Sequence, residues 1–568
     1  MGIPQTEVSA TTPPVRPAWW PGPAALRAGK VLGGWLAWLA ASRPLILTVL
    51  AIALLWPGIA RLPPLDRDES RTALATLQML QPGDHAPPDR QTAGIAWLQA
   101  GAVSLLSAPD RRDIWANRVP GALAALAAVL LTWRIAAVLY GSTAGFVAGL
   151  LLALSVLLGA EARMATPEAP LLAVILLAQA ALLEVWRRRD GPPPSLAASW
   201  AASGVFWGAI GAGALLNAPV VLLVTGGTLL GLAIAERRAR WMLALRPWLG
   251  LVLLAILLPW VAGFAGVAQG RARHGLPPGA TLALFVLAFW PGSLFAARAL
   301  PWVWCNRRMP ETVFLLAWTL PAWVVIEAVG SRLPHTLLPI IPAIATLTAG
   351  ALCAPPVAGR LGRLGRLLSR SWATLWLAVG LGLALAGPLL MLRLAPRVAA
   401  LALFAAMIAV VAVVQTARQA KRPAPRVALC FAVVAVLAIS WSGFRVVAPA
   451  LETIWLSPRI AAAVRAWRPC PDSVLASSAY AEPSLLYLAG RNTRLIGPAQ
   501  AAGFLHDSPA CGLALIDRRD TAVFLDRARA LGFTPRVLTR LDGINATTLR
   551  RLELTLYAAS PAAAKPAP

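Results

Sequence analysis

Apolar positions arrive along this chain in long runs, each closed by Arg, Pro, Gly or a short polar stretch. A helix needs about 17–25 such residues to cross a hydrocarbon layer about 30 Å thick. Runs that meet this recur at 43–60, 117–139, 143–160, 168–185, 199–215, 217–234, 247–265, 280–299, 312–328, 334–352, 372–392, 397–415 and 427–446. The pattern predicts a polytopic α-helical membrane protein with about 13 transmembrane helices. One more run, 92–107 (TAGIAWLQAGAVSLLS), is short for a span and carries Gln99 and two serines.

Arginine decides how that run is placed. Put the N-terminal segment, with Arg16, Arg27, Lys30 and Arg43, on the cytoplasmic side and let 92–107 stay uncrossed. The cytoplasmic loops then hold Arg187–Arg189, Arg237, Arg238, Arg240, Arg246, Arg298, Arg307, Arg308, Arg360, Arg363, Arg366, Arg370, Arg418, Lys421, Arg422 and Arg426. The opposite loops hold only Arg163, Arg271, Arg273, Arg332, Arg393 and Arg397. A crossing at 92–107 would reverse this and break the positive-inside bias. The expected organisation is a cytoplasmic segment 1–42 and a membrane domain 43–446 with an extracytoplasmic excursion 61–116. An extracytoplasmic domain 447–560 and a disordered tail 561–568 follow. Segment 92–107 is expected to lie at the interface as an amphipathic helix. No cleavable signal is expected, because the first 42 residues are rich in Pro and Trp and the next apolar run is long enough to stay as an anchor.

Beyond about 450 the rhythm changes. DSVLASS (472–478), CGLALID (511–517), PRVLTRLDG (535–543) and LRRLELTLYAA (549–559) read as strands. EPSLLYLAG (482–490) and TAVFLDRARALG (521–532) read as helices. Such alternation predicts a small α/β domain.

Composition agrees with a bilayer as solvent: 58% of residues are hydrophobic and the mean hydropathy is +0.67. The net charge of +27 sits in short interhelical loops, not on one continuous face, so a nucleic-acid partner is excluded. Lys is scarce beside Ala, Arg, Gly and Pro, as in GC-rich bacterial genomes, and a bacterial inner membrane is the expected location. Of five cysteines, Cys305, Cys353 and Cys430 lie in or beside apolar runs. Cys470 and Cys511 could pair if their domain is extracytoplasmic.

The chain has only 24 acidic residues, yet Asp66, Asp68 and Glu69 stand together just after the first apolar run. Asp66 and Glu69 have capping-box spacing, and acidic residues favour a helix N-terminus. That accounts for one or two of them and leaves a third at an aqueous boundary.

Four passages resemble the bacterial polyprenyl-phosphate-dependent glycosyltransferases of the GT-C membrane superfamily (glycosyltransferase family 39), which is related to protein O-mannosyltransferases and includes the lipid A aminoarabinose transferase. They are Asp68–Glu69–Ser70–Arg71, ARMATPEAPL (162–171), LPW (258–260) and SRLPHTLLPIIPAIA (331–345); LDGINATTLRRLELTLY (541–557) also looks like the end of the family's soluble domain. The resemblance implies a GT-C fold and an inverting glycosyltransferase that moves a sugar from a polyprenyl-phosphate donor to an envelope lipid, glycan or protein hydroxyl. By the same resemblance Asp68 is the candidate base, and Glu69 beside it is the second candidate catalytic residue. Arg332, Arg90 and Arg71 are candidates for the donor phosphate, and Arg71 is also expected to pair with Asp68 or Glu69. Glu168 is a candidate for the sugar or acceptor. His335 reads equally as structural or catalytic. A divalent metal on Asp68 and Glu168 is left open, since two carboxylates are too few to decide. A monomer is expected. Two departures stand out: the family's Lys-Gly turn appears as Asn217–Ala218–Pro219, and the loop after LPW shrinks to 266–279. The competing classes are a transporter or flippase and a non-catalytic glycan-assembly protein. The former would carry repeats and mid-membrane charge.

Overall fold

The computed structural model describes residues 42–66, 68–80, 93–192, 195–237, 239–268, 279–329, 334–355, 362–394, 396–422, 426–490, 492–545 and 547–559. Among the described residues eight helices are long and apolar enough to cross a membrane, or nine if one bent pair counts as a span. Four shorter apolar helices, Arg43–Leu55, Ala93–Leu106, Ser142–Leu154 and Pro247–Leu257, accompany them.

The helix Leu196–Glu236 is 41 residues long, but Asn217 inside it has φ −163° and ψ 87°. A Cβ built on Gly213 would stand 2.8 Å from Val221 Cγ2. Residues eight apart in a straight helix are about 12 Å apart. The element is therefore a hairpin of two antiparallel helices, turned at Asn217 ahead of Pro219, as the division into 199–215 and 217–234 expects. Gly94, at the start of helix Ala93–Leu106, fits against the Leu215 carbonyl beside this turn, where any side chain would collide.

The run 280–299 departs from its expected single span. It is two helices, Ala280–Ala288 and Gly292–Cys305, bent by 116°. A second break, between Ser142–Leu154 and Val156–Glu161, lies against it. Backbone groups freed at such depth need partners, because no water is there to take them. Val156 N–H donates to the Trp290 carbonyl at 3.2 Å, and Ser155 Oγ accepts from Leu158 N–H. The indole N–H groups of Trp376 and Trp372 donate to the Pro291 and Ser293 carbonyls at 3.2 and 3.0 Å. Ser293 Oγ donates to the Val286 carbonyl at 3.0 Å.

The C-terminal domain holds one five-stranded sheet: β1 Val474–Ser477, β2 Arg494–Leu495, β3 Gly512–Asp517, β4 Arg536–Ile544 and β5 Arg551–Ala558, in the order β2-β1-β3-β5-β4. β2, β1 and β3 run parallel, and β5 is antiparallel to β3 and β4. Alternation along β3 divides the core. Leu513 and Leu515 pack with Ile460, Val464 and Leu485, while Ala514 and Ile516 pack with Phe504 and Phe524. The helices Leu456–Trp467 and Pro483–Ala489 thus cover one face, and Pro498–Asp507 and Thr521–Ala530 the other.

Cys470 and Cys511 are joined, with their Cα atoms 5.4 Å apart. The bond closes 41 positions of chain and ties the approach to β1 to that of β3. Replacing either cysteine by Ser is expected to destabilise this domain by about 2–4 kcal/mol, read as faster limited proteolysis of residues 470–559 in the purified protein. Equal cleavage with and without the bond would remove its structural role.

Candidate active site

The loop helix Asp68–Met79 begins with the two carboxylates singled out above, and they have opposite surroundings. Asp68 is exposed and Glu69 is fully buried. Glu69 meets Arg118, also fully buried, through Nε at 2.7 Å and Nη2 at 2.8 Å. Its oxygens also accept from Ala165 N–H at 2.9 Å and Leu65 N–H at 2.8 Å. Arg118 donates further to the carbonyls of Ile59, Leu62 and Pro63. One carboxylate and one guanidinium thereby join the end of the first helix, the loop helix, helix Ile114–Tyr140 and the turn 162–167.

Charge-assisted bidentate pairing is the geometry in which buried ions repay most of their lost hydration. Glu69 is fully enclosed by these partners, so its work is to hold the loop helix. Asp68 is left at the helix tip facing outward, where the helix dipole favours an anion. Arg71 is exposed and, among the described residues, pairs with neither carboxylate; the cation that Glu69 takes is Arg118.

More bonds fix the same turn. The Ala165 carbonyl accepts from Thr72 Oγ1 and, at 2.9 Å, from Gln99 Nε2, while Thr76 Oγ1 donates to Gln99 Oε1 at 2.9 Å. The buried amide of helix Ala93–Leu106 therefore pins that helix to the loop helix and to the turn. Glu168 follows, half-buried at the start of helix Glu168–Arg187. The 3-10 segment Pro334–Ile340, which carries half-buried His335, packs against both Val156–Glu161 and Glu168–Arg187. Three of the four resembling passages thus converge. Arg332 and Arg90 lie outside the described residues, as does most of the loop 266–279.

Two groups without a role in the sequence reading lie at this junction. Arg163 is buried, donates to the carbonyls of Leu54, Pro57 and Gly159, and stacks 4.1 Å over Phe444; burial lowers its pKa to about 9. Glu161, 6% exposed, accepts from Thr166 Oγ1 at 2.9 Å. Burial raises its pKa to about 7, with the Thr166 hydrogen bond opposing and the charge of Asp68 adding. Among the described residues no three His, Cys, Asp or Glu side chains converge as a metal site.

The C-terminal domain closes one side. Tyr487, on helix Pro483–Ala489, is buried among Ala73, Leu77, Ile114 and Ala165, and its hydroxyl accepts from Asn117 Nδ2 at 3.2 Å. Ser484 donates to Asp66, so the first acid of the cluster anchors the domain.

Residues 90–262 match a family profile described as dolichyl-phosphate-mannose-protein mannosyltransferase. That stretch contains Arg118, Glu161 and Glu168, with Asp68 upstream of it. No curated protein matches the chain in sequence. Among solved structures, ArnT from Cupriavidus metallidurans in the apo state is similar with a TM-score of 0.65 at 19% identity, over 94% of this chain and 100% of that one. ArnT from Cupriavidus metallidurans bound to undecaprenyl phosphate gives 0.67 at 19% identity, over 94% and 99%. At this identity the likeness is one of fold, and it runs almost end to end. The chain has the fold of these ArnT structures.

Cutting the buried pair tests the site's frame. Arg118→Ala or Glu69→Ala is expected to cost ~3–5 kcal/mol by stranding a buried charge, visible as a lower unfolding temperature in detergent. Asp68→Asn is expected to change it by no more than about 0.5 kcal/mol. If Arg118→Ala unfolded at the wild-type temperature, the pair would not be what holds the loop helix.

Proposed function

We propose that the chain transfers a sugar, with inversion, from a polyprenyl-phosphate donor to an envelope acceptor at the outer face of a bacterial inner membrane. The observation that carries this is Asp68: an exposed carboxylate at the tip of a helix whose next residue is locked in a buried ion pair. The end-to-end likeness to a structure bound to undecaprenyl phosphate supports the donor class.

The chemistry follows from what the donor lacks and what it brings. Its leaving group is a lipid phosphate, good enough to depart unprotonated. Asp68 takes the proton of the acceptor hydroxyl as that oxygen attacks the anomeric carbon. The carbon–oxygen bond to the phosphate breaks, and its electron pair leaves with the polyprenyl phosphate. One displacement without a covalent sugar–enzyme step inverts the anomeric centre. Cations then meet the charge gathering on the phosphate, a role assigned to Arg332, Arg90 and Arg71. The guanidinium of an Arg offers the phosphate oxygens a planar fork as well as a charge. Glu168 and His335, beside the same junction, are assigned to the sugar or acceptor. Glu69 is a positioning residue.

Orientation is read from the basic loops together with the Cys470–Cys511 bond, which belongs in an oxidising compartment. The C-terminal domain is thereby assigned to the periplasm. Which envelope lipid, glycan or protein hydroxyl accepts the sugar is the content of the test.

Envelope lipids and glycans from a deletion strain, carrying either the wild-type gene or Asp68→Asn at equal protein level, are to be compared by mass spectrometry. The Asn strain is expected to lose one glycosyl unit that the wild type restores, with transfer down by about 10²–10⁴-fold. Full restoration by Asp68→Asn would sink the assignment of the base and favour an assembly or transport role.

A further inference from the structure

The C-terminal domain meets the membrane domain at one end of its sheet. Ile544, the last residue of β4, donates its N–H to the Thr453 carbonyl at 2.8 Å, and Thr453 lies just past the candidate span Arg426–Ala450. Gly543 makes this approach possible, since a Cβ there would stand 2.7 Å from the same carbonyl oxygen. Trp455 follows, its indole N–H donating to the Ala448 carbonyl at 2.6 Å, and amphipathic rings of this kind collect at the headgroup level. β1 is parallel to β3, which is antiparallel to β5, so the C-terminal end of β1 lies where β5 begins. Ser484 and Tyr487, which reach Asp66 and Asn117, come after that end. These contacts together turn the junction of β4 and β5 toward the membrane.

The junction is a stiff turn. Asn545, buried, accepts from the N–H groups of Thr547 and Thr548 at 2.8 and 3.0 Å, and its side-chain amide donates to Glu482 Oε1 at 3.0 Å. Its backbone N–H donates to the Arg550 carbonyl at 2.9 Å, and its carbonyl accepts from Leu549 N–H at 2.8 Å. On this support Leu549 stands 81% exposed with φ 55°, a left-handed backbone that a leucine rarely adopts. Water offers such a side chain nothing in return for the strain, whereas a hydrocarbon layer does. Arg550 and Arg551 follow, both exposed and without an ion pair among the described residues. The nearest acids along the hairpin are already taken, Asp542 by Arg459 and Glu553 by Arg518.

We propose that Thr548–Arg551 is a lipid-contact tip: Leu549 enters the bilayer surface beside the last membrane helix, and Arg550 and Arg551 hold the phosphates of anionic lipids there. An apolar side chain below the headgroups with cations above it is the pairing that interfacial segments use. Nothing in it depends on which reaction the chain performs.

The test uses the full-length protein with p-benzoylphenylalanine in place of Leu549, in nanodiscs of mixed phosphatidylglycerol and phosphatidylcholine. After irradiation, mass spectrometry identifies what the ring has joined. Lipid adducts are expected from position 549. The same group in place of Val537, 45% exposed and about 24 Å back along β4, is expected to give almost none. Phosphatidylglycerol is expected to exceed its share of the disc by about fivefold for each arginine that meets a headgroup. Arg550→Gln with Arg551→Gln is expected to return the adducts to the disc's composition. Adducts to another segment of this chain without lipid, equal lipid yields from both positions, or an unchanged headgroup ratio in the double Gln variant would each overturn the proposal. Should the photoreactive variants fail to fold, phenylglyoxal labelling of Arg550 and Arg551 in the unaltered protein serves instead. It is expected to be about fivefold slower in discs with phosphatidylglycerol than in phosphatidylcholine alone, and equal rates would overturn the proposal.

Discussion

The buried pair between Glu69 and Arg118 is the contact around which the site is arranged. Neither side chain has solvent to fall back on, so each must find partners for its whole hydrogen-bonding surface. The partners are backbone groups from the first helix's end, from the loop and from the turn at 165. Meeting that requirement brings separate pieces of chain to one point. Asp68 is outside this arrangement and is placed by it, which is how one residue can be rigidly supported while its neighbour stays open to water.

A second requirement shapes the membrane domain. Where helices break within the apolar array, the freed carbonyls are met by tryptophan indoles and by serine. Trp290 and Trp376 also stack, with ring centroids 5.5 Å apart. Tryptophan suits both tasks because it fills space as an apolar plate and brings one donor. The breaks at Ser155 and Trp290 then fit each other, two interruptions joined by the hydrogen bond from Val156 N–H to the Trp290 carbonyl.

Much of this could be read from the chain before folding. Long apolar runs and the loop arginines pointed to the membrane array, and the scarcity of acids to the cluster at 66–69, while singling out Asp68 took the family resemblance. The strands β1, β3, β4 and β5 announced themselves by alternation, but β2 is two exposed residues and gives no periodic signal. Arg118 was missed although a signal existed: an ionisable side chain inside an apolar run is rarely idle. Gln99 was seen as a mark against crossing, yet its role as a buried clamp needed the positions of Thr76 and Ala165. The bend in 280–299 was foreshadowed by Trp290–Pro291–Gly292, which breaks the helical rhythm, while its angle depended on packing against the Ser155 break. Glu161 gave no signal in the sequence, because burial is a property of the fold.

The dock of Tyr487 and Ser484 has a consequence for how the molecule comes into being. Ser484 reaches Asp66 across 418 positions of sequence, and Tyr487 reaches Asn117 across 370. The first loop therefore emerges from the ribosome long before the residues that close its flank exist. Until residues 484–487 are made, Ser484 cannot reach Asp66 and the apolar side of the loop helix lacks the cover of Tyr487. A product that terminates before residue 484 would hold every acid of the site and still be unfinished, so synthesis of the C-terminal domain is itself a checkpoint on when the site is assembled.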